Sequence, residues 1–162
     1  MSEVDYLQAR SKALQQYDAA FHLLNVTFPL VNDPKLLIGV VHNIFSSMEA
    51  SMGAIMAYER KLHLIPPYYD NFESKFNLFR YKTVPRNNIS SQLVESLGKL
   101  KELLDLHKKS PMEFQRGQKF VICTKEFQMQ SLTFQEIRNY LSQSKEFIHL
   151  MEQIIPHIDR KE

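Results

Sequence analysis

Thirty-two consecutive residues, Asp33 to Leu64, constrain the fold of this chain more than any other segment. Asp33 is a good N-cap, Pro34 suits a first helical position, and no proline follows until Pro66-Pro67. Leu37, Val41, Ile44, Met48, Ser51/Met52, Ile55 and Leu62 recur at helical spacing, and Ile38, Phe45 and Met56 widen that stripe round the cylinder. A helix apolar on so many sides needs neighbours on several sides. The segment therefore predicts a long central helix inside a bundle, a dimer or both.

The flanking segments supply those neighbours. Residues 3–29 predict an amphipathic first helix with Tyr6, Leu7, Ala13, Leu14, Tyr17, Ala20, Phe21, Leu24 and Phe28 on its apolar side. A shorter helix is expected from about Asn71 to Tyr81, with Phe72, Phe76 and Phe79 inward, before a loop at Pro85 and Asn87-Asn88. Ser90 or Ser91 can cap a further helix that carries Leu93, Leu97, Leu100, Leu103 and Leu104 to Lys109. Ser110-Pro111 breaks it. Between Glu113 and Gln130 the pattern changes: Phe120-Val121-Ile122-Cys123 is β-prone and Arg116-Gly117-Gln118 suits a tight turn, so a small hairpin or an ordered loop is expected. Thr133-Phe-Gln-Glu136 is a capping box that opens a last helix running to about Ile155, with Ile137, Tyr140, Leu141, Phe147, Ile148 and Met151 inward. No internal repeat stands out. The expectation is a single all-α domain over residues 1–162, an antiparallel bundle of four long helices and one short one.

Composition narrows the setting. One cysteine, Cys123, leaves no internal disulfide to form, and a reducing, cytoplasmic environment follows as the expectation. The first residues, MSEVDYLQAR, do not read as a secretory leader. Leu36 to Tyr58 is long enough to cross a bilayer, but Glu49, His42, Asn43 and three serines argue against membrane insertion. A formal charge of +2 neither demands nor forbids nucleic acid.

Candidate chemistry is sparse. Gly39, His42, Ser46, Glu49 and Gly53 lie on one strip of the central helix, which Arg60 and His63 extend. Three readings stay open: a solvent face or buried polar network, the seam for a second copy of the chain, or a ligand or catalytic site. Arg80, Tyr81, Lys82 and Arg86, with Arg116 and Lys119, would form a patch for RNA or an acidic protein if their loops meet. Met48, Met52, Phe76 and Phe79 could line a small-molecule pocket or simply be core. Glu146-Phe-Ile-His149 is one Glu-x-x-His pair where a di-iron bundle needs two, and no zinc, phosphate-loop or dinucleotide motif occurs, so neither metal nor cofactor is expected.

In layout, the amphipathic first helix, the Leu36-Leu37-Ile38-Gly39-Val40-Val41-His42-Asn43-Ile44-Phe45 helix, the Ile65-Pro66-Pro67 segment and the capped last helix resemble the HEPN superfamily of small helical bundles. Ribonuclease-like members of that family carry Arg, four to six residues, then His near a dimer seam. Here Arg60 and His63 are separated by two residues, and Arg138 and His149 by ten. The resemblance thus implies a non-catalytic homodimer that binds a protein or RNA partner. The alternative is a metal-independent ribonuclease using Arg60, His63, His42 and Glu49.

Overall fold

The computed structural model describes residues 3–110, 112–117 and 119–156. Helix α1 (Glu3–His22) runs through a wide π turn at Leu23–Thr27 into α2 (Phe28–Val31). The long helix α3 (Lys35–Lys61) follows, then α4 (Phe72–Leu78), a second π turn at Phe79–Thr83, α5 (Val84–Asn87) and α6 (Ser91–Lys109). Strands β1 (Met112–Arg116), β2 (Lys119–Cys123) and β3 (Met129–Thr133) form an antiparallel meander in the order β1-β2-β3. Helix α7 (Phe134–Ile154) closes the described chain.

The chain is mostly helical, but not all-α. The stretch expected as a hairpin or loop is a three-stranded sheet, with Met112, Cys123 and Met129 in one register row and Arg116, Lys119 and Thr133 in another. Gly117 takes the positive φ (+61°) that a tight β1–β2 connection requires. Pro111 and Gln118 lie outside the described residues.

Helix α3 is the centre: 16 of its 27 residues are buried. It packs mainly on α1 and α7, with α6 alongside. Small residues allow the closest approach. Ala13 and Ala20 of α1 are fully buried, and Ser47 Oγ of α3 donates to the Ala13 carbonyl at 2.8 Å. A Cβ on Gly39 would meet Leu23 Cδ2 at 3.2 Å. One end of α7 is tied to α1 by Arg10 and Glu152 (3.0 Å). The meander lays Phe120, Ile122 and Leu132 on the helical core, while Val121 and Cys123 point to its other face.

Start and stop signals hold at most ends. The Asp33 carboxylate accepts from Lys35 N–H (3.0 Å), Ser90 caps Gln92 (3.2 Å), and both bonds of the Thr133–Glu136 capping box form. Three expectations are corrected. The first helical run continues through Pro29 to Val31, because the π turn upstream accommodates the proline ring. Pro85 lies inside a helical run rather than in a loop, for the same reason. Helix α3 stops at Lys61, so Leu62 falls beyond its end and is about half exposed; Phe21 is exposed as well. Among the described residues no helix is long and apolar enough to cross a membrane.

Candidate functional site

The polar strip of α3 is its least covered side. Gly39, Ser46, Glu49, Gly53 and Arg60 are half-buried, and His42 is exposed. Gly39 meets Leu23 of the same chain, whereas a Cβ on Gly53 would point into open space. The neighbours of the strip differ along its length: Leu23 of the first π turn at Gly39 and His107 of α6 at His42. The strip does not assemble the alternative catalytic set. At 1.5 Å per residue, Glu49 lies about 10 Å and Arg60 about 27 Å from His42 along one rigid rod. His63 lies beyond the end of α3, exposed, with φ +60°.

Chemistry instead gathers where α3, α6 and β1 meet. The His42 ring stands edge-on to His107 in the last turn of α6, with centroids 6.2 Å apart. His107 Nε2 is hydrogen-bonded to the Glu113 carboxylate of β1. The His42 pKa is lowered, first by the desolvation its neighbours impose and then by the positive charge of His107 and Lys108. A neutral imidazole beside a second, carboxylate-held one is an arrangement suited to passing protons or gripping an anion. The sequence signals His42 but not its partners, since His107 and Glu113 lie 65 and 71 positions further on. Among the described residues no group of three or more His, Cys, Asp or Glu is placed to hold a metal ion.

The expected basic patch is divided. Arg86 Nη1 pairs with Glu59 (3.2 Å) while its Nη2 donates to the Leu64 carbonyl (2.8 Å). Arg80 lies over the Phe76 ring and donates to Asn77 (3.0 Å). Arg86 is thus committed at the C-terminal end of α3 and Arg80 on α4, while Tyr81 and Lys82 are exposed. Arg116 and Lys119 instead share a register row in the meander. Glu113, three residues before Arg116, is held at the His42 end, and that end is about 25 Å from Glu59 along α3. Met48, Met52 and Phe79 are fully buried core, and Phe79 stacks on Phe147. Of the suggested pocket only Phe76 borders open space, a groove of about 610 Å³ beside Val84, Val94 and Gly98.

On the outer face of the meander the sequence signals Arg116 and Lys119 but not the side chains around them. Arg116, Lys119, Val121, Met129 and Ser131 border a concavity of about 470 Å³. Met112 and Met129 are exposed, and Phe127, at the β2–β3 turn, is 84 % exposed with φ +61°. A large side chain held in left-handed backbone and presented to solvent is strained and uncovered at once. The comparisons with known proteins found no matching family model, no matching curated protein and no matching solved structure.

Proposed function

We infer that this chain acts by binding rather than catalysis: a homodimerising helical protein that holds an acidic partner, protein or RNA, against its β-meander. The observation that carries this reading is the outer face of the sheet, where exposed Met129 borders one concavity with Arg116 and Lys119, with exposed Met112 in its register row and exposed Phe127 at the adjoining turn. Exposed apolar side chains beside basic ones suit a surface that grips through contact area and charge together. The separation of His42, Glu49 and Arg60 along α3 supports the same side of the choice. Retention of total host RNA on filters tests the RNA form. Arg116→Glu/Lys119→Glu should weaken retention by about tenfold or more, given the salt-dependent weight of phosphate contacts. RNA held equally well by that variant would remove the meander from the binding surface.

A second reading is favoured by one observation, the His42–His107 pair. In metal-independent RNA cleavage one imidazole would take the 2′-hydroxyl proton as that oxygen attacks phosphorus, and the other would protonate the departing 5′-oxygen. Shortening of RNA in the presence of chelator, lost in His107→Ala, would establish this reading over the first.

A further inference from the structure

A groove of about 450 Å³ lies between α1 and α7, a size suited to one small ligand or one unit of a longer one. The two helices run antiparallel: Arg10 meets Glu152 at one end, and Asn25 and Arg138 border the groove toward the other. Its α1 wall is aromatic. Tyr6, Ala13, Ala20 and Leu24 are buried. Phe21 is set about 100° round from Ala20 and so leaves that stripe. It stays 49 % exposed and turns its ring to Tyr17, with centroids 6.3 Å apart. Both rings line the groove, as does buried Leu141.

The α7 wall is cationic. Arg138, Ser142, Lys145 and His149 recur at i, i+4, i+7 and i+11, so they share one face of the helix, and all are exposed. Among the described residues neither Arg138 nor Lys145 makes an ion pair, whereas Arg10, Lys75, Arg86 and Lys101 are each held by a carboxylate. A ring left half in solvent beside two uncommitted cations suits single-stranded nucleic acid, whose bases stack on aromatic faces while its phosphates take the charge. An acidic peptide would use the cations and leave Phe21 uncovered. Glu146 is the one acid among the lining residues. A carboxylate repels phosphate but accepts from the amino group of a base such as cytosine.

We propose that this groove binds a nucleotide unit of single-stranded RNA, with the base on Phe21, its amino group toward Glu146, and the phosphate between Arg138 and Lys145. This rests on the binding reading above, narrows its acidic partner to RNA and adds a second contact surface. Arg138 lies five residues beyond Thr133, whose register row holds Lys119 and Arg116. The two surfaces therefore begin about 7.5 Å apart along α7, and one strand can serve both.

The test is the fluorescence anisotropy of a labelled oligocytidine of about 12 nucleotides. Phe21→Leu keeps an apolar side chain without the ring and should weaken binding by about tenfold, while Phe21→Tyr should bind as the wild type does. Arg138→Gln/Lys145→Gln should weaken it as well and flatten the slope of log K against log salt by about 1.4. All three residues are exposed, so these variants should melt close to the wild type. Oligouridine lacks the amino group and should bind about fivefold more weakly, a gap that Glu146→Ala should erase. Affinity untouched by Phe21→Leu, or a cytidine preference that is absent or survives Glu146→Ala, overturns this site; if Arg116→Glu/Lys119→Glu still weakens binding, the meander surface stands without it. Binding that needs Phe21 and ignores the meander variant supports the groove and removes the meander. Polyglutamate held as tightly as oligocytidine, in wild type and Phe21→Leu alike, assigns the groove to an acidic protein and refutes the proposal. A wild-type protein that binds no oligocytidine overturns both this site and the RNA form of the reading above.

Discussion

Glu59 is a charged side chain at the end of α3 that is only 2 % exposed. Its Oε1 accepts from Thr83 Oγ1 (2.7 Å), and its Oε2 from Asn87 Nδ2 (2.9 Å) and Arg86 Nη1 (3.2 Å). A buried carboxylate is tolerable only when so satisfied. The network fastens the end of α3 to the second π turn and α5. Glu59→Ala strands three donors; because Arg86 keeps solvent access, the cost should be about 2–3 kcal/mol in urea unfolding. A loss well under about 1 kcal/mol would mean that apolar packing alone holds this corner. Gln143 presents the opposite case. Its Oε1 is buried and has no hydrogen-bond partner. Gln143→Met keeps the length and removes the orphan acceptor, and should raise stability by about 1 kcal/mol on the same measurement.

Among the helices, the chain uses one device twice. Thr27-Phe-Pro-Leu-Val-Asn32 and Thr83-Val-Pro-Arg-Asn-Asn88 each follow a π turn and end on an asparagine with positive φ (60° and 53°). A proline inside an α-helix lacks the N–H for the i−4 bond, and its ring collides with that carbonyl. A widened turn just upstream relieves the conflict: Phe28 N–H reaches back to Leu23, and Val84 N–H to Phe79, five residues each. Asparagine then ends each run because it tolerates left-handed backbone. Asn88→Ala should therefore cost about 1 kcal/mol while Asn88→Gly costs little, a contrast that chemical unfolding resolves. Local signals such as the Ser90 cap and the Thr133–Glu136 box are readable because each closes within three residues. The two prolines mislead because their accommodation depends on hydrogen bonds made by residues upstream. Phe120 to Cys123 announces β2 by its β-branched and aromatic run, but Met129 to Thr133 has three exposed residues and no alternation, so β3 is invisible to the same reading.

The buried rod is legible in the sequence and the site is obscure, and both follow from range. The rod is a periodic property of 27 adjacent residues. The corner of His42, His107 and Glu113 is assembled by the packing of α6 and the meander against α3, which no local spacing encodes. That corner gives the molecule a defined response to pH. His42 is surrounded by His107, Lys108 and, through His107, Glu113, and its pKa lies below the ordinary 6.5. Between that folded value and 6.5 the unfolded chain binds more protons at this position than the native one. Stability contributed here is thus complete above about pH 6.5 and declines as pH falls toward the folded pKa. Asp70, lowered from 3.8 by its hydrogen bond to Lys75, acts only below that pH, which leaves the first fall beneath pH 6.5 to His42. Urea midpoints measured from about pH 8 down to 5 should fall below neutrality, and His42→Gln should flatten that fall. Lys108→Gln supplies the internal control. Losing one neighbouring cation should move the His42 imidazole titration, followed by NMR, upward without abolishing it; an unmoved titration would show that desolvation alone sets its proton affinity.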